Sequence, residues 1–209
     1  MWYECDTFRV AKLANIGQQS MKFKHFLFFF LGLISCIVIP IASYNAYVNW
    51  QPIGSEVGEE VPVQGRQHVP VGTVVIFTTN PPASGPHYSV PEVWGIKIRP
   101  IQDEYAVHSM EHGTVWITYQ PDKISVADLR QLKDIANQYA RIILSPRPSN
   151  DAYIALVSWG RIEKLDHMDV TAINLFAYRN RNHGPERWVM DSFLVVWVLR
   201  HVPQLSAIR

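Results

Sequence analysis

The chain contains little cysteine, and both cysteines lie near its N-terminus. Cys5 and Cys36 are the two cysteines among 209 residues. From residue 50 onward the chain therefore has no disulfide and no thiolate ligand. A metal site in that stretch must use histidine, methionine, aspartate, glutamate or backbone oxygen, and a cysteine nucleophile is excluded there.

The chain also lacks an excess of charge. Its formal net charge is +1, which gives no global basic field of the kind that drives nucleic-acid binding, so no nucleic-acid partner is expected. It has no glycine-rich phosphate-binding loop and no serine-centred nucleophile elbow. Hydrophobic residues make up 48% of the chain, which is enough to bury the core of one domain of ordinary size.

One long apolar run dominates the N-terminal part. Residues 26–48 form 23 consecutive positions without a charge. A bilayer core of about 30 Å needs roughly 20 helical residues, so this run predicts a membrane-spanning helix. Lys22 and Lys24 precede it, and acidic residues follow it. The positive-inside rule then places the N-terminus in the cytoplasm and the rest of the chain outside.

Two features near the anchor leave alternatives open. We assign residues 21–50 to a signal-anchor, with residues 1–20 as a short cytoplasmic tail. The alternative is that translation starts at Met21, which begins a basic stretch that runs into the apolar segment. Residues 1–20 would then be an upstream extension that does not belong to the protein. Cys36 ends a sequence similar to a lipoprotein cleavage box. The apolar run continues well past it, which favours an uncleaved anchor over lipidation.

The rest of the chain predicts an extracytoplasmic domain over residues 67–209, after a linker over residues 51–66. The linker is rich in proline, glycine and acidic residues and has no regular period. Prolines between residues 81 and 91 predict a long irregular loop over residues 80–105. The apolar tail, residues 188–199, is too short to span a bilayer and is assigned to a buried element, with a membrane or partner contact as the alternative.

The predicted elements of this domain alternate between strands and helices. Their order, β-β-α-β-β-α, favours an α+β fold: a small, mainly antiparallel sheet with two helices on one face, behind one N-terminal transmembrane helix. Ser125 and Asp169 are the predicted N-caps of the two helices. Apolar periodicity and β-branched residues place strands at residues 73–79, 114–119, 141–145 and 153–159, the last two as a hairpin.

Several short motifs follow one another along the domain. They are GRQH at residues 65–68, NPPASGPH at 80–87, VHSMEHG at 107–113, SWG at 158–160, and RN followed by GPE between 179 and 186. Over residues 65–187 the chain resembles the family catalogued as domain of unknown function 3105. The resemblance implies a membrane anchor and an outward domain, and it implies no established reaction. The family usually has leucine where this chain has Met110, so a methionine-dependent metal site would not be a family-wide trait.

The HSMEHG stretch concentrates groups that can bind a metal. In a strand, His108 and His112 would lie about 13 Å apart, too far for one ion, whereas in a helix they lie one turn apart. Gly113 and the strand after it favour a bent turn. We expect a copper or zinc site in which these histidines share a polar pocket beneath the proline loop, with a thioether favouring Cu(I). Its candidate ligands are His68, His87, His108, Met110, Glu111 and His112.

Three other interpretations remain. In the first, the histidines pin loops through hydrogen bonds to the backbone. In the second, the stretch is an H-x-x-E-H motif, in which both histidines bind zinc and the glutamate activates water, with Glu186 far downstream in the place of a third ligand. That motif requires a helix, so catalysis is not favoured. The third is a non-catalytic module that docks a protein partner through the proline loop and Trp94, Trp159 and Trp188.

Overall fold

The structure, a computed structural model, describes residues 28–47, 50 and 52–186, which divide into two units near residue 47. The first unit contains helix α1, Phe28–Tyr47, with a mean hydropathy of 1.9. This helix is long and apolar enough to cross a membrane, and Cys36 lies exposed on it. The expectations for residues 1–20, Met21 and residues 188–199 lie outside the described residues.

The second unit is an α+β domain, as the sequence predicts. The elements are β1 (Glu59–Glu60), β2 (His68–Val69), β3 (His87–Tyr88), β4 (Gly95–Ile96), α2 (Asp103–Glu111), β5 (Val115–Tyr119), α3 (Val126–Gln138), β6 (Ile142–Pro146), β7 (Ile154–Ser158), β8 (Arg161–Leu165) and α4 (Val170–Asn180). The six-stranded sheet has the order β1-β8-β7-β5-β6-β4, and β2 and β3 form a separate parallel pair. Strand β6 runs parallel to both β4 and β5, while the other pairs in this sheet are antiparallel, so the sheet is mixed.

The core lies on both faces of the central strand β5. Val115 and Ile117 face one side, where they pack with apolar residues of α3 and α4. Trp116 faces the other side and packs with Met110 and other apolar residues of α2. Successive side chains of a strand point to opposite faces, so one strand supplies both clusters. The prediction of two helices on one face is confirmed for α3 and α4, and α2 covers the opposite face.

Side-chain caps fix the starts of α3 and α4. The Ser125 hydroxyl accepts a hydrogen bond from the Asp128 backbone N–H at 3.0 Å. The Asp169 carboxylate accepts one from the Ala172 N–H at 2.9 Å. Each cap pairs a backbone donor that the first helical turn leaves without a partner, and both predicted caps are confirmed.

The strand predicted over residues 73–79 is absent. Val74 and Ile76 are largely exposed, so the β-branched residues of this segment do not pack into the core. The Gln64 side chain donates to the Ile76 carbonyl at 2.6 Å and accepts from the Thr78 N–H at 2.9 Å. One amide side chain thus supplies backbone hydrogen bonds that a neighbouring strand would otherwise provide.

The hairpin predicted from the two strands around residues 146–151 is also wrong. β5 lies between β6 and β7, pairing with β6 in parallel and with β7 antiparallel. All three strands are buried along their whole length, so hydrophobicity alone does not define their order. The hairpin in this part of the chain joins β7 and β8 through Trp159 and Gly160, and the positive φ of Gly160 suits such a short turn.

The segment predicted as a linker contributes to the sheet. Glu59 and Glu60 pair with β8 as its outer neighbour. The Val61 N–H then donates to the Gly160 carbonyl at 2.9 Å. Residues 59–61 therefore cover the exposed edge of β8 and continue toward the histidine-bearing strands.

The bent turn predicted for HSMEHG is a helix, α2. Asp103 and Glu104 in its first turn suit the positive end of the helix dipole. Gly113, with a φ of +84°, ends it, and the Gly113 N–H donates to the Met110 carbonyl at 2.9 Å. A glycine with positive φ directly after a helix is a common C-terminal stop, so Gly113 ends the helix and does not exclude it.

Candidate metal centre

Helix α2 directs two imidazoles toward each other. His108 and His112 lie one turn apart, and their Nε2 atoms are 2.8 Å apart. Both side chains are buried. Met110 lies on another side of the same helix, in the apolar cluster with Trp116 and Ile143. Because its side chain packs in this cluster, Met110 is not placed to join the histidines as a ligand.

The parallel pair of β2 and β3 brings two further histidines to this helix. Its register sets His68 beside His87, and the His87 N–H donates to the Gln67 carbonyl at 3.0 Å. The His68 ring stacks on His108 with centroids 5.0 Å apart, and the His87 ring lies 4.9 Å from His108. His87 is fully buried, whereas the side chain of His68 is 45% exposed. His68 is therefore the histidine of this group that solvent reaches most easily.

Glu111 supplies a carboxylate at the centre of this group. Its Oε2 atom lies 3.1 Å from His87 Nε2 and 3.9 Å from His68 Nε2. Its Oε1 atom is buried and has no hydrogen-bond partner among the described residues. A buried carboxylate oxygen without a donor is costly, since folding has removed its water without replacing it.

Hydrogen bonds at the Nδ1 nitrogen fix the tautomers of three imidazoles. The Nδ1 atoms of His87, His108 and His112 face the carbonyl oxygens of Gly85, Tyr88 and Glu186, at 2.8, 2.5 and 3.0 Å. A carbonyl oxygen only accepts, so each Nδ1–H must donate. In a neutral imidazole the Nε2 atom then carries a lone pair. Backbone carbonyls that hold Nδ1–H in this way are typical of histidines that bind a metal through Nε2.

These lone pairs meet other electron-rich atoms. His108 Nε2 faces His112 Nε2, and His87 Nε2 faces the Glu111 carboxylate. Two lone pairs at hydrogen-bond distance repel unless a proton or a metal cation lies between them. The two contacts therefore have the arrangement of a cation site.

The electrostatics of the site favour neutral imidazoles on α2. Burial, followed by the neighbouring His112, lowers the pKa of His108 from 6.5 to about 2. Burial also lowers the pKa of His112, although its hydrogen bond to Glu186 acts in the opposite direction. For Glu111, burial raises the pKa, but the hydrogen bond with His87 and the electrostatic influence of the surrounding histidines outweigh it, so the pKa is lowered. Neutral imidazoles and an ionised carboxylate are the protonation states in which these groups bind metals.

The segment after α4 closes the C-terminal end of α2. The Glu186 N–H donates to the Glu111 carbonyl at 3.1 Å. Gly184 permits this approach, since a Cβ at that position would lie 2.2 Å from the Glu111 carbonyl oxygen. Arg141, which is buried, donates to the His112 carbonyl at 2.6 Å. These bonds pair carbonyls that the helix end would leave without partners.

The structure brings together most of the site residues predicted from the sequence. Candidate ligand atoms of His68, His87, His108 and Glu111 lie within 4.8 Å of one another, and so do those of Glu111, His112 and Glu186. His112 thus belongs to the second group while it contacts His108 of the first. The sequence suggests Glu186 only as a distant third ligand of the H-x-x-E-H pattern, and the structure groups it with Glu111 and His112. No sequence signal indicates Arg141 or the three backbone carbonyls.

The tryptophans considered for partner docking lie close to the core. Trp94 and Trp159 are partly buried and pack against the cluster that contains Trp116. Trp159 also makes an edge contact with the His87 ring, at 6.2 Å between centroids. Trp188 lies outside the described residues. Trp159 therefore helps to enclose the histidine group.

Comparison with known proteins places the chain in a family without assigning it a reaction. Neither the curated proteins nor the solved structures contain a match to this chain. A family model described as a protein of unknown function (DUF3105) matches residues 68–192, a stretch that contains every member of both ligand groups. The chain belongs to the DUF3105 family.

Proposed function

We propose that this domain binds a transition-metal ion, zinc or copper, through His68, His87, His108 and Glu111. The observation that carries the proposal is that candidate ligand atoms of these four residues lie within 4.8 Å of one another, around the buried Glu111 carboxylate. The Nδ1 atoms of His87 and His108 each donate to a backbone carbonyl, which leaves the Nε2 lone pair of both rings for a cation. Hydrogen bonds that only pinned loops would account for the Nδ1 contacts. They would not account for acceptor atoms facing one another at 2.8 Å.

The donor set favours a borderline ion over a soft one. Three imidazole nitrogens and one carboxylate oxygen suit Zn²⁺, and they also suit Cu²⁺. The thioether of Met110, which would favour Cu⁺, packs in the apolar cluster with Trp116 and Ile143. Because Zn²⁺ accepts a tetrahedral set of this composition, zinc is the ion we propose first.

Binding by the full-length protein in detergent tests this proposal. Isothermal titration of untagged, metal-stripped protein with Zn²⁺ and Cu²⁺ should give saturable binding. His87→Ala and His108→Ala should each weaken it at least tenfold. His167→Ala is the matched control, since His167 is exposed and belongs to neither ligand group. Absence of binding by the parent, or equal binding by all variants, would overturn the proposal.

We further propose that α1 anchors the protein as a single span with the domain outside the cytoplasm. Lys22 and Lys24 on one side of the apolar run, and acidic residues on the other, support this orientation. Alkaline phosphatase fused after Arg209 should then be active, whereas activity of a cytoplasm-only reporter at that position would reverse the orientation. Cys36→Ser should leave the protein in the membrane fraction if α1 is an uncleaved anchor.

A zinc hydrolase is the second candidate, and one observation favours it. The H-x-x-E-H motif requires its histidines one helical turn apart, and His108 on α2 and His112, the C-cap residue of α2, have that spacing. His68 and His87 are not part of that motif, yet they lie in the observed ligand group. Glu111→Gln separates the two functions: a hydrolase loses turnover of a peptide or ester library while retaining zinc, whereas a metal-binding domain shows no turnover in the parent.

A further inference from the structure

We propose that the site holds two metal ions, with the Glu111 carboxylate as the bridge between them. The second ion is bound by Glu111, His112 and Glu186. This inference rests on the proposed function, because it adds a second site next to the first. It changes the expected stoichiometry from one ion to two.

Glu111 is the residue that the two groups share. Its Oε2 atom faces His87 and His68 of the first group. Its Oε1 atom is buried and lacks a hydrogen-bond partner among the described residues. Glu111 also belongs to the second group with His112 and Glu186. A bridging carboxylate would give both oxygens a cation and would remove the unpaired buried acceptor.

His112 and Glu186 complete the second group and leave it open to solvent. His112 donates its Nδ1–H to the Glu186 carbonyl, so in the neutral imidazole Nε2 is the nitrogen that carries the lone pair. The same residue, Glu186, offers its carboxylate, whose side chain is 46% exposed and lies 3.9 Å from Arg66. An ion can therefore enter from the Glu186 side, while His68 provides the exposed position of the first group.

Two ions also resolve the close contact between the imidazoles of α2. Metal ions that share a bridging ligand lie about 3.5–4 Å apart. His108 would then turn toward the first ion and His112 toward the second, which relieves the 2.8 Å contact between their Nε2 atoms. The two dications would face two carboxylates, Glu111 and Glu186, which offset half of their charge.

Zinc titration of variants of the full-length protein in detergent tests the inference. The parent should bind two Zn²⁺ ions, and Glu186→Gln should bind one. Asp151→Asn is the matched control, because Asp151 is a carboxylate of similar exposure that also pairs with a cation, Lys164, and belongs to neither group. It should bind two. In the Cu²⁺-loaded parent, the two spins should couple and weaken the electron paramagnetic resonance signal, and Glu186→Gln should restore the signal of an isolated ion.

The outcomes separate this inference from the proposed function. One ion in the parent, lost in His87→Ala, would overturn the second site and leave the first intact. Two ions in both the parent and Glu186→Gln would also overturn the second site as assigned. No ion in the parent would remove both. If Glu186→Gln and Asp151→Asn each lost the same amount of bound zinc, removal of any surface carboxylate would have that effect. This result too would overturn the assignment of Glu186.

Discussion

Truncation of His68 tests the metal site with little damage to the fold. Its side chain is half exposed, and its strand pairs with β3 through the backbone, so His68→Ala creates no buried cavity. We expect the free energy of unfolding of the metal-free protein to change by no more than about 0.5 kcal/mol. The effect should appear in the metal-bound protein, where His68 is one of four proposed ligands.

The size of the effect follows from mass action. With free Zn²⁺ at 100 times the Kd, binding stabilises the folded state by about 2.7 kcal/mol. For a domain of this size, 1 kcal/mol moves Tm by about 4 °C, so the parent should gain roughly 10 °C. Loss of one ligand should weaken binding about 100-fold, at least as much as loss of an outer-shell partner. At the same zinc concentration His68→Ala then gains about 0.4 kcal/mol, or roughly 2 °C.

Differential scanning calorimetry with and without Zn²⁺ measures this difference directly. His167→Ala is again the control, since it removes an exposed imidazole from outside the ligand groups. It should retain the full shift of the parent. A zinc-induced shift in His68→Ala equal to that of the parent would refute the assignment of His68. A shift lost equally in both variants would refute a specific site.

Three further predictions concern other residues of the site. Met110→Leu should leave Zn²⁺ and Cu²⁺ affinity in isothermal titration unchanged, because the thioether packs in the apolar cluster, and a tenfold loss would contradict this. The low pKa of His108 keeps it neutral in the folded state, so below pH 6.5 the unfolded chain binds one more proton. As the pH is lowered below 6.5, the free energy of unfolding of the metal-free protein, measured with urea, should fall by up to about 1.4 kcal/mol per pH unit. The dependence of this free energy on pH should be weaker in His108→Gln, and equal dependence in both proteins would refute the prediction. Gly184→Ala should lower Tm by several degrees and weaken metal binding, because its Cβ meets the Glu111 carbonyl; an unchanged Tm would contradict that contact.

Local signals predicted the helices α3 and α4 and the strand β5. Ser125 and Asp169 mark their helices with caps that act within three residues, so the neighbouring sequence contains the information. The order of β5, β6 and β7 was missed because uniformly buried strands do not indicate their partners. The strand predicted over residues 73–79 does not form. The side chain of Gln64, more than ten residues from Ile76, makes hydrogen bonds to this segment in place of a neighbouring strand.

The sequence predicted most of the residues of the candidate site, but only part of their arrangement in space. His87, His108 and Glu111 stood out as a group of metal-binding residue types, and the structure brings them together. Helix α2 was missed because its start has no side-chain cap and glycine follows its end. That error left Met110 among the candidate ligands, whereas a helix directs it away from the imidazoles. The position of Glu186 depends on contacts between segments far apart in sequence, which one sequence does not show.

X-ray absorption spectroscopy of the zinc-loaded, full-length protein identifies the atoms that bind the ion. We expect a first shell of nitrogen and oxygen at about 2.0–2.1 Å, with the outer-shell scattering of imidazole rings and no sulfur at about 2.3 Å. His87→Ala should reduce the imidazole scattering, and His167→Ala should leave it unchanged. A shell of oxygen alone, or a sulfur contribution, would contradict the claim that these imidazoles and Glu111 hold the metal.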